Sequence, residues 1–224
     1  MKKIYKTAEK YKYEILLIAL LAHLYIGIFL TDLPLYTKVI WPINMFIIGI
    51  ASVGVFIEKG RAEKIIKNIL LILVIILPVS IPFLGKVAYF FPVLSLIYCF
   101  FFGFILIEIL KYLIKPTYIN TDVISASACG FFLLIEIAVF LLQAFFYIDT
   151  NSIKGIDTSQ AATIYMDLVY FSSITVTSIG YGDISPNSHS TKLIVSVLGV
   201  ICQFYSVVLV GILISKFASE KTTK

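Results

Sequence analysis

Charge is what this sequence lacks most. Only 14% of its 224 residues are Asp, Glu, Lys or Arg, while 60% are apolar and the mean hydropathy is +1.00. A soluble domain carries roughly 25% charged and about 45–50% apolar residues. In water this chain would expose large apolar areas, which excludes a soluble enzyme, a disordered tail and a fibre. Cysteine is also scarce. Cys99, Cys129 and Cys202 are odd in number, lie inside apolar runs and form no CxxC pair. That excludes a disulfide framework and a cysteine-built zinc site, and leaves buried thiols. The apolar segments hold no HExxH, no phosphate loop and no paired carboxylates, so no catalytic motif is present. Arginine is reduced to Arg61. The net charge of +5 would in a soluble protein point to nucleic acid. Here the positions of the charges exclude that partner.

What is present is a series of uncharged runs. They are Ile15–Thr31, Val39–Ile57, Asn68–Leu84, Val87–Ile107, Val123–Ile148 and Leu193–Ser215; the first contains His23 and the fifth is broken only by Glu136. Each is near the ~20 residues a helix needs to cross ~30 Å of hydrocarbon, which predicts six spans. Pro42, Pro78, Pro82 and Pro92 are tolerated where neighbouring helices satisfy the freed backbone groups. The basic N-terminus resembles a signal peptide, but no small-residue cleavage site follows it, so the first run reads as a span. Lys and Arg are unequally divided. Fourteen lie in the two terminal tails and in the loops after the second and fourth runs, against four (Lys38, Lys86, Lys154 and Lys192) on the other side. The positive-inside rule then places both termini in the cytoplasm and the chain in a bilayer as a multi-pass protein of the plasma membrane.

The segment between the fifth and sixth runs, Asp149–Lys192, is too long for a turn. Its half-apolar part, Ala161–Ile174, has about 14 residues. As a helix it is ~21 Å long, enough to enter the membrane and stop. Thr158 or Ser159 is the expected N-cap. Thr175-Val-Thr-Ser-Ile-Gly-Tyr-Gly-Asp183 follows. Irregular backbone at membrane depth survives only buried in protein or lining water. Gly180 and Gly182 permit left-handed backbone. Alternating handedness points successive carbonyls one way, and rings of carbonyls can replace the hydration shell of a monovalent cation. The fold class expected is an all-α membrane protein with six transmembrane helices, a re-entrant pore helix and a selectivity-filter loop.

Thr177-Ser-Ile-Gly-Tyr-Gly-Asp183 resembles the filter signature of the tetrameric potassium channel family, six-span bacterial type, in which TVGYG forms the filter. The end of a pore helix at Tyr170–Ile174, Pro186 and the uncharged inner helix extend the resemblance over about residues 123–216. The first four runs resemble the family only in number and topology. The resemblance implies that backbone oxygens of Ser178, Ile179, Gly180 and Tyr181, with the Ser178 hydroxyl, coordinate potassium, the permeant ligand; no cofactor is implied. It makes Thr177, Gly182, Asp183, Tyr170 and Phe171 the filter's support, with the Tyr181 ring turned from the pore onto the pore helices. The pore-helix C-terminus aims its partial negative charge at the cavity. One copy supplies a quarter of the carbonyl cage and no internal repeat supplies the rest, so a homotetramer is implied.

Several residues depart from the family pattern. Ser178 stands where Thr is usual. Tyr170 and Phe171 replace a common Trp pair, Tyr170 offering an O–H to Asp183 in place of an indole N–H. Ile174 stands where some relatives carry Glu, so no carboxyl pair with Asp183 forms. Cys202 stands at the hinge glycine; Gly199 and Gly211 are alternative hinges, or small packing residues.

The implied domains are residues 1–116, four helices without gating charges, and 117–224, the pore domain. A voltage sensor needs several charges inside the field. Val87–Ile107 has none, and Lys111 and Lys115 follow at its cytoplasmic end, so steep voltage gating is not expected. Only Lys216–Lys224 follows the last run, too short for a ligand-binding domain. Gating is then expected in the membrane, the filter or an unseen regulatory subunit. Glu136 reads as an intersubunit hydrogen bond or a pH sensor, and His23 as a packed helix residue. His189 reads as a solvated loop residue or a mild external pH sensor. Asp167 is a dipole partner or a solvated face residue. The alternatives to a potassium channel are a less selective cation channel, a non-conducting subunit, and a transporter or enzyme subunit.

Overall fold

The computed structural model describes residues 10–30, 32–56, 61–85, 87, 89–114 and 121–222. Its described helices are α1 Lys12–Phe29, α2 Leu33–Val53, α3 Arg61–Leu84, α4 Phe90–Ile114, α5 Thr121–Ile148, α6 Ala161–Val176 and α7 His189–Thr222. Two short strands, β1 Ile153–Lys154 and β2 Ser185–Pro186, pair antiparallel with Ile153 opposite Pro186. The fold is all-α. Among the described residues five helices are long and apolar enough to cross a membrane: α1, α2, α4, α5 and the His189–Leu209 part of α7. The third uncharged run lies on α3, whose apolar stretch Lys67–Ile81 is shorter. Thr31, Lys2, Lys3, Lys6, Lys59, Lys86, Lys115, Lys224 and the 116/117 domain boundary lie outside the described residues.

The helix ends differ from the uncharged runs for local reasons. α2 starts at Leu33 rather than Val39 because Asp32 caps it, accepting the Leu35 N–H at 3.0 Å, with Pro34 in the first turn. A π-helical turn over Tyr36–Ile40 precedes Pro42, which has no N–H to offer the previous turn. The fourth run stops at the first charge, but α4 continues to Ile114. Its Glu108 is buried and accepts from Lys111 Nζ, one turn on, at 2.6 Å. The pair lets the helix carry charge past the apolar stretch.

α5 is the hub, packing against α1, α4, α6 and α7. It is apolar nearly all round, as a helix enclosed by others must be, and Ala126, Cys129, Leu133, Val139 and Phe140 are fully buried. At one end, Cys129 Sγ donates to the Tyr13 carbonyl at 3.2 Å and the Tyr13 and Tyr112 rings lie 4.8 Å apart. That brings the starts of α1 and α5 and the end of α4 together. At the other end, α1 meets the re-entrant helix α6. Tyr25 Oη lies 3.1 Å from Ser173 Oγ, and a Cβ at Gly27 would fall 2.8 Å from the Met166 methyl. α7 is held to α5 by Tyr205, whose hydroxyl donates to the Ser127 carbonyl at 2.8 Å. The Tyr205 ring lies over Gly130, where any Cβ would overlap its hydroxyl.

That overlap makes Gly130 a lock. Gly130→Val is expected to lower the stability of the detergent-solubilised chain by about 1–3 kcal/mol, the usual cost of overpacking. Most of the loss should vanish in Gly130→Val with Tyr205→Ala, because the clash needs both side chains. Thermal unfolding followed by circular dichroism checks both variants.

Candidate functional site

Helix α6 is capped by Gln160, not by Thr158 or Ser159. Gln160 and Thr163 form a reciprocal capping box, with the Gln160 N–H donating to Thr163 Oγ1 at 3.2 Å. Ser159 instead gives its N–H to Asp157 Oδ1 at 2.9 Å, which commits it to the preceding turn. Asp167 lies half-exposed on the second turn, a face residue that also takes a specific partner. Its Oδ2 accepts the Asp157 N–H at 2.7 Å and ties the incoming loop to the second turn of α6.

The helix ends into an unusual loop. Ser178, Gly180 and Gly182 have φ of 61°, 58° and 86°, while Ile179 and Tyr181 between them do not have positive φ. Handedness therefore alternates through five residues, as two glycines allow and as Ser178 does at some steric cost. The loop's N–H groups turn back to the helix end. Ser178 N–H donates to the Thr175 carbonyl at 3.0 Å, and Ile179 and Gly180 both donate to the Ile174 carbonyl, at 2.8 and 3.2 Å. The Thr177 hydroxyl donates to the Ser173 carbonyl at 2.8 Å. Residues 177–183 are all exposed in the single chain, with Ile179 at 55% and Tyr181 at 71%. Phe171 is buried under the loop's helix.

The loop's far end is anchored from two sides. Tyr170 Oη donates to Asp183 Oδ2 at 2.7 Å, and the Tyr181 ring stacks parallel to that of Tyr170, 6.5 Å away with a 5° interplanar angle. The Tyr170 hydroxyl holds the Asp183 carboxyl below the usual carboxylate range. From the other side comes the stretch after α5, which sequence reasoning passed over as a polar connection. β1 pairs with β2. The Ser152 carbonyl accepts from the Asn187 N–H and from Thr191 Oγ1, both at 2.7 Å. Gly155, at φ 88°, lets the Asp183 carbonyl approach where a side chain would block it. Gly155 in a polar turn was the available signal for this contact.

The candidate gating residues are scattered. Cys202 is buried on α7, which is helical throughout past Gly199, Cys202 and Gly211. At Gly199 and Gly211 an added Cβ would meet nothing within 4 Å, so packing inside this chain gives neither glycine a reason. Glu136 is not free for a neighbouring subunit. It is fully buried within its own chain, and its Oε1 lies 2.8 Å from His23 Nδ1. His23 is accordingly more than a packed helix residue. The pairing spans 113 positions in sequence, and no local pattern announces it. Among the described residues no three His, Cys, Asp or Glu side chains converge as metal ligands. The oxygen donors on offer at the loop are backbone carbonyls and the Ser178 hydroxyl.

A family model described as an ion channel matches residues 131–219, from within α5 to near the end of α7. Over 79 residues, 35% of this chain, the sequence is 37% identical to Two-pore potassium channel 1 of Arabidopsis thaliana, and the match covers 20% of that protein. The chain thus spans a fifth of the length of that curated relative. No solved structure matches. Fold and matches define the class: a multi-pass membrane protein whose residues 131–219 resemble an ion-channel domain, not an enzyme.

The Tyr170–Asp183 contact gives a pH expectation. A carboxylate whose folded-state pKa is lowered contributes its stabilisation above the ordinary value near 3.9 and loses it as pH falls through the lowered one. Tyr170→Phe should therefore move the Asp183 titration upward, read by carboxyl carbon NMR, and bring acid disordering of the loop to higher pH.

Proposed function

We propose that the chain is the subunit of a potassium-selective channel, a homotetramer of the plasma membrane with both termini cytoplasmic. Potassium passes down its gradient through rings of carbonyls from Ser178, Ile179, Gly180 and Tyr181. The observation that carries this reading is the alternation of left-handed backbone at Ser178, Gly180 and Gly182, together with the loop's N–H groups being spent on the end of α6. Carbonyls of a loop so pinned are left free for a cation. The Ser178 hydroxyl completes the innermost ring. Thr177, Gly182, Asp183, Tyr170 and Phe171 act through that loop rather than on the ion.

Assembly is supported by what one chain leaves uncovered. Ile179 and Tyr181 are exposed, and α7 shows a stripe of Val197, Val200, Phe204 and Val207, each at least 57% exposed. Neighbouring copies and the pore account for such a face. The six-span reading takes α3 as the third crossing, since its 24 residues reach ~36 Å as a helix. α4 carries no charge from Phe90 to Ile107, which supports a channel without steep voltage gating. Gating is assigned to α7, with Gly199, Cys202 and Gly211 as candidate hinge positions, or to an unseen regulatory subunit.

Reconstitution of the full chain in liposomes tests the reading. A reversal potential that follows potassium in mixed potassium and sodium is the expected result. One that follows both ions makes the chain a less selective cation channel, and absence of flux makes it a non-conducting subunit. At the innermost site, serine keeps the oxygen but lacks the methyl that stiffens χ1 of threonine. Barium block should therefore be weaker in the wild type than in Ser178→Thr, measured on the same bilayers.

A further inference from the structure

A second polar site lies away from the filter, where α1, α5 and α6 converge. His23 and Glu136 have 0% side-chain exposure, and Tyr165 Oη of α6 lies 3.1 Å from the same His23 Nδ1 that meets Glu136. The remaining polar atoms of the pair, His23 Nε2 and Glu136 Oε2, have no protein partner. Half-satisfied ionisable groups at membrane depth are costly and rare unless they bind something. The side chains facing the pair are Tyr36 and Trp41 of α2, Phe102 of α4, Phe140 of α5 and Tyr165 of α6, with Tyr98 of α4 packed behind on Phe140 and Trp41. The titratable ones are tyrosines, and Tyr25 of α1 is near Tyr165. None of these is charged at neutral pH.

Beside Tyr165 is a cavity of about 30 Å³ lined by Tyr36, Thr37, Trp41, Gln143 and Tyr147 among others. Such a volume holds about two waters. On its walls Gln143 pairs loosely with Tyr147, and Trp41 with Tyr165, polar contacts that waters there can bridge. The cavity lies at the end of the bundle that carries Asp183 and the β1–β2 pair. Toward the opposite end the same helices present Leu16, Leu20, Met45, Ile48, Ile105 and Leu133, all at 0% exposure, a dry seal.

We propose that His23 and Glu136 form a proton-binding site, hydrated from the filter's outer end and closed toward the other, whose occupancy reaches the pore helix through Tyr165. With one proton between them the two groups are neutral overall. A second proton from the outer solution leaves an imidazolium beside a neutral carboxylic acid, a net positive charge in an apolar shell. Only N–H and O–H bonds change. An uncompensated buried charge draws in water or separates its holders. The Tyr165 contact is then lost, which weakens the seat of α6 on α1 that Tyr25–Ser173 and Gly27–Met166 also form. Because Ile174 of α6 anchors the filter, loosening α6 lowers conduction. Only this last step rests on the channel reading; proton binding does not.

The experiment uses the full chain in His189→Gln background, which removes the exposed imidazole at the mouth. Potassium flux is measured while outer pH goes from about 7.5 to about 5.5, a window bracketing an ordinary histidine. Flux should fall about threefold or more across that window, the readout of a second proton binding the buried pair. Inner pH should have no effect. Glu136→Gln should abolish the response, and Tyr165→Phe should weaken it. Flux at neutral pH that ignores outer pH, or a response that survives Glu136→Gln, overturns the proposal. Imidazole nitrogen NMR of His23 in the same background gives a second readout independent of flux. The ring should titrate within the window in both the parent and Tyr165→Phe; a ring fixed in one tautomer throughout overturns the proposal. Titration without any flux sinks the channel reading and the Tyr165 step, and upholds the proton site.

Discussion

The loop after α6 depends on where its backbone N–H groups go. At membrane depth water is not available to every polar backbone group, and each unsatisfied one is costly. Here the end of α6 takes them. The Ile174 carbonyl receives two N–H groups and Thr175 a third. A helix C-terminus has carbonyls to spare, so the two needs cancel. With the N–H groups of Ser178, Ile179 and Gly180 committed, those three residues present backbone acceptors rather than backbone donors. Everything else around it serves to keep α6 and the loop in that relation: the capping box that starts α6, the Asp167 contact that ties the entering chain to it, and the Tyr170–Asp183 bond at the far end.

The same economy appears in how the helices are arranged. α4 and α5 are joined by residues 115–120, too few to carry α5 far from α4, so they pack as antiparallel neighbours. α5 then serves both halves. It receives α1 through Tyr13 and Glu136, and α7 through Ser127 and Gly130. α1 touches the re-entrant helix of its own chain. The four leading helices are therefore built onto α5–α7 of the same chain, with polar contacts at both ends and an aromatic layer between.

Much of this was legible in the sequence. The uncharged runs located the helices because charge is excluded from hydrocarbon, and the glycine spacing located the loop because only left-handed backbone explains it. The Tyr170 hydroxyl was expected opposite Asp183 from the family resemblance, in which Tyr170 stands at a Trp position. The failures share a cause. Helix starts at Asp32 and Gln160 and the extension past Glu108 depend on capping or ion pairing, which override a reading based on charge alone. The β1–β2 pair and the His23–Glu136–Tyr165 cluster join residues far apart in the chain. A single sequence carries no signal for such contacts until the packing is known.

The contacts of α1 with α6 bear on the order of events at synthesis. α1 leaves the ribosome long before α6, yet it forms part of the wall against which α6 must settle. Tyr25, Gly27 and His23 each offer a fitted surface to the later helix. The chain can thus prepare the seat of α6 before α6 itself is made.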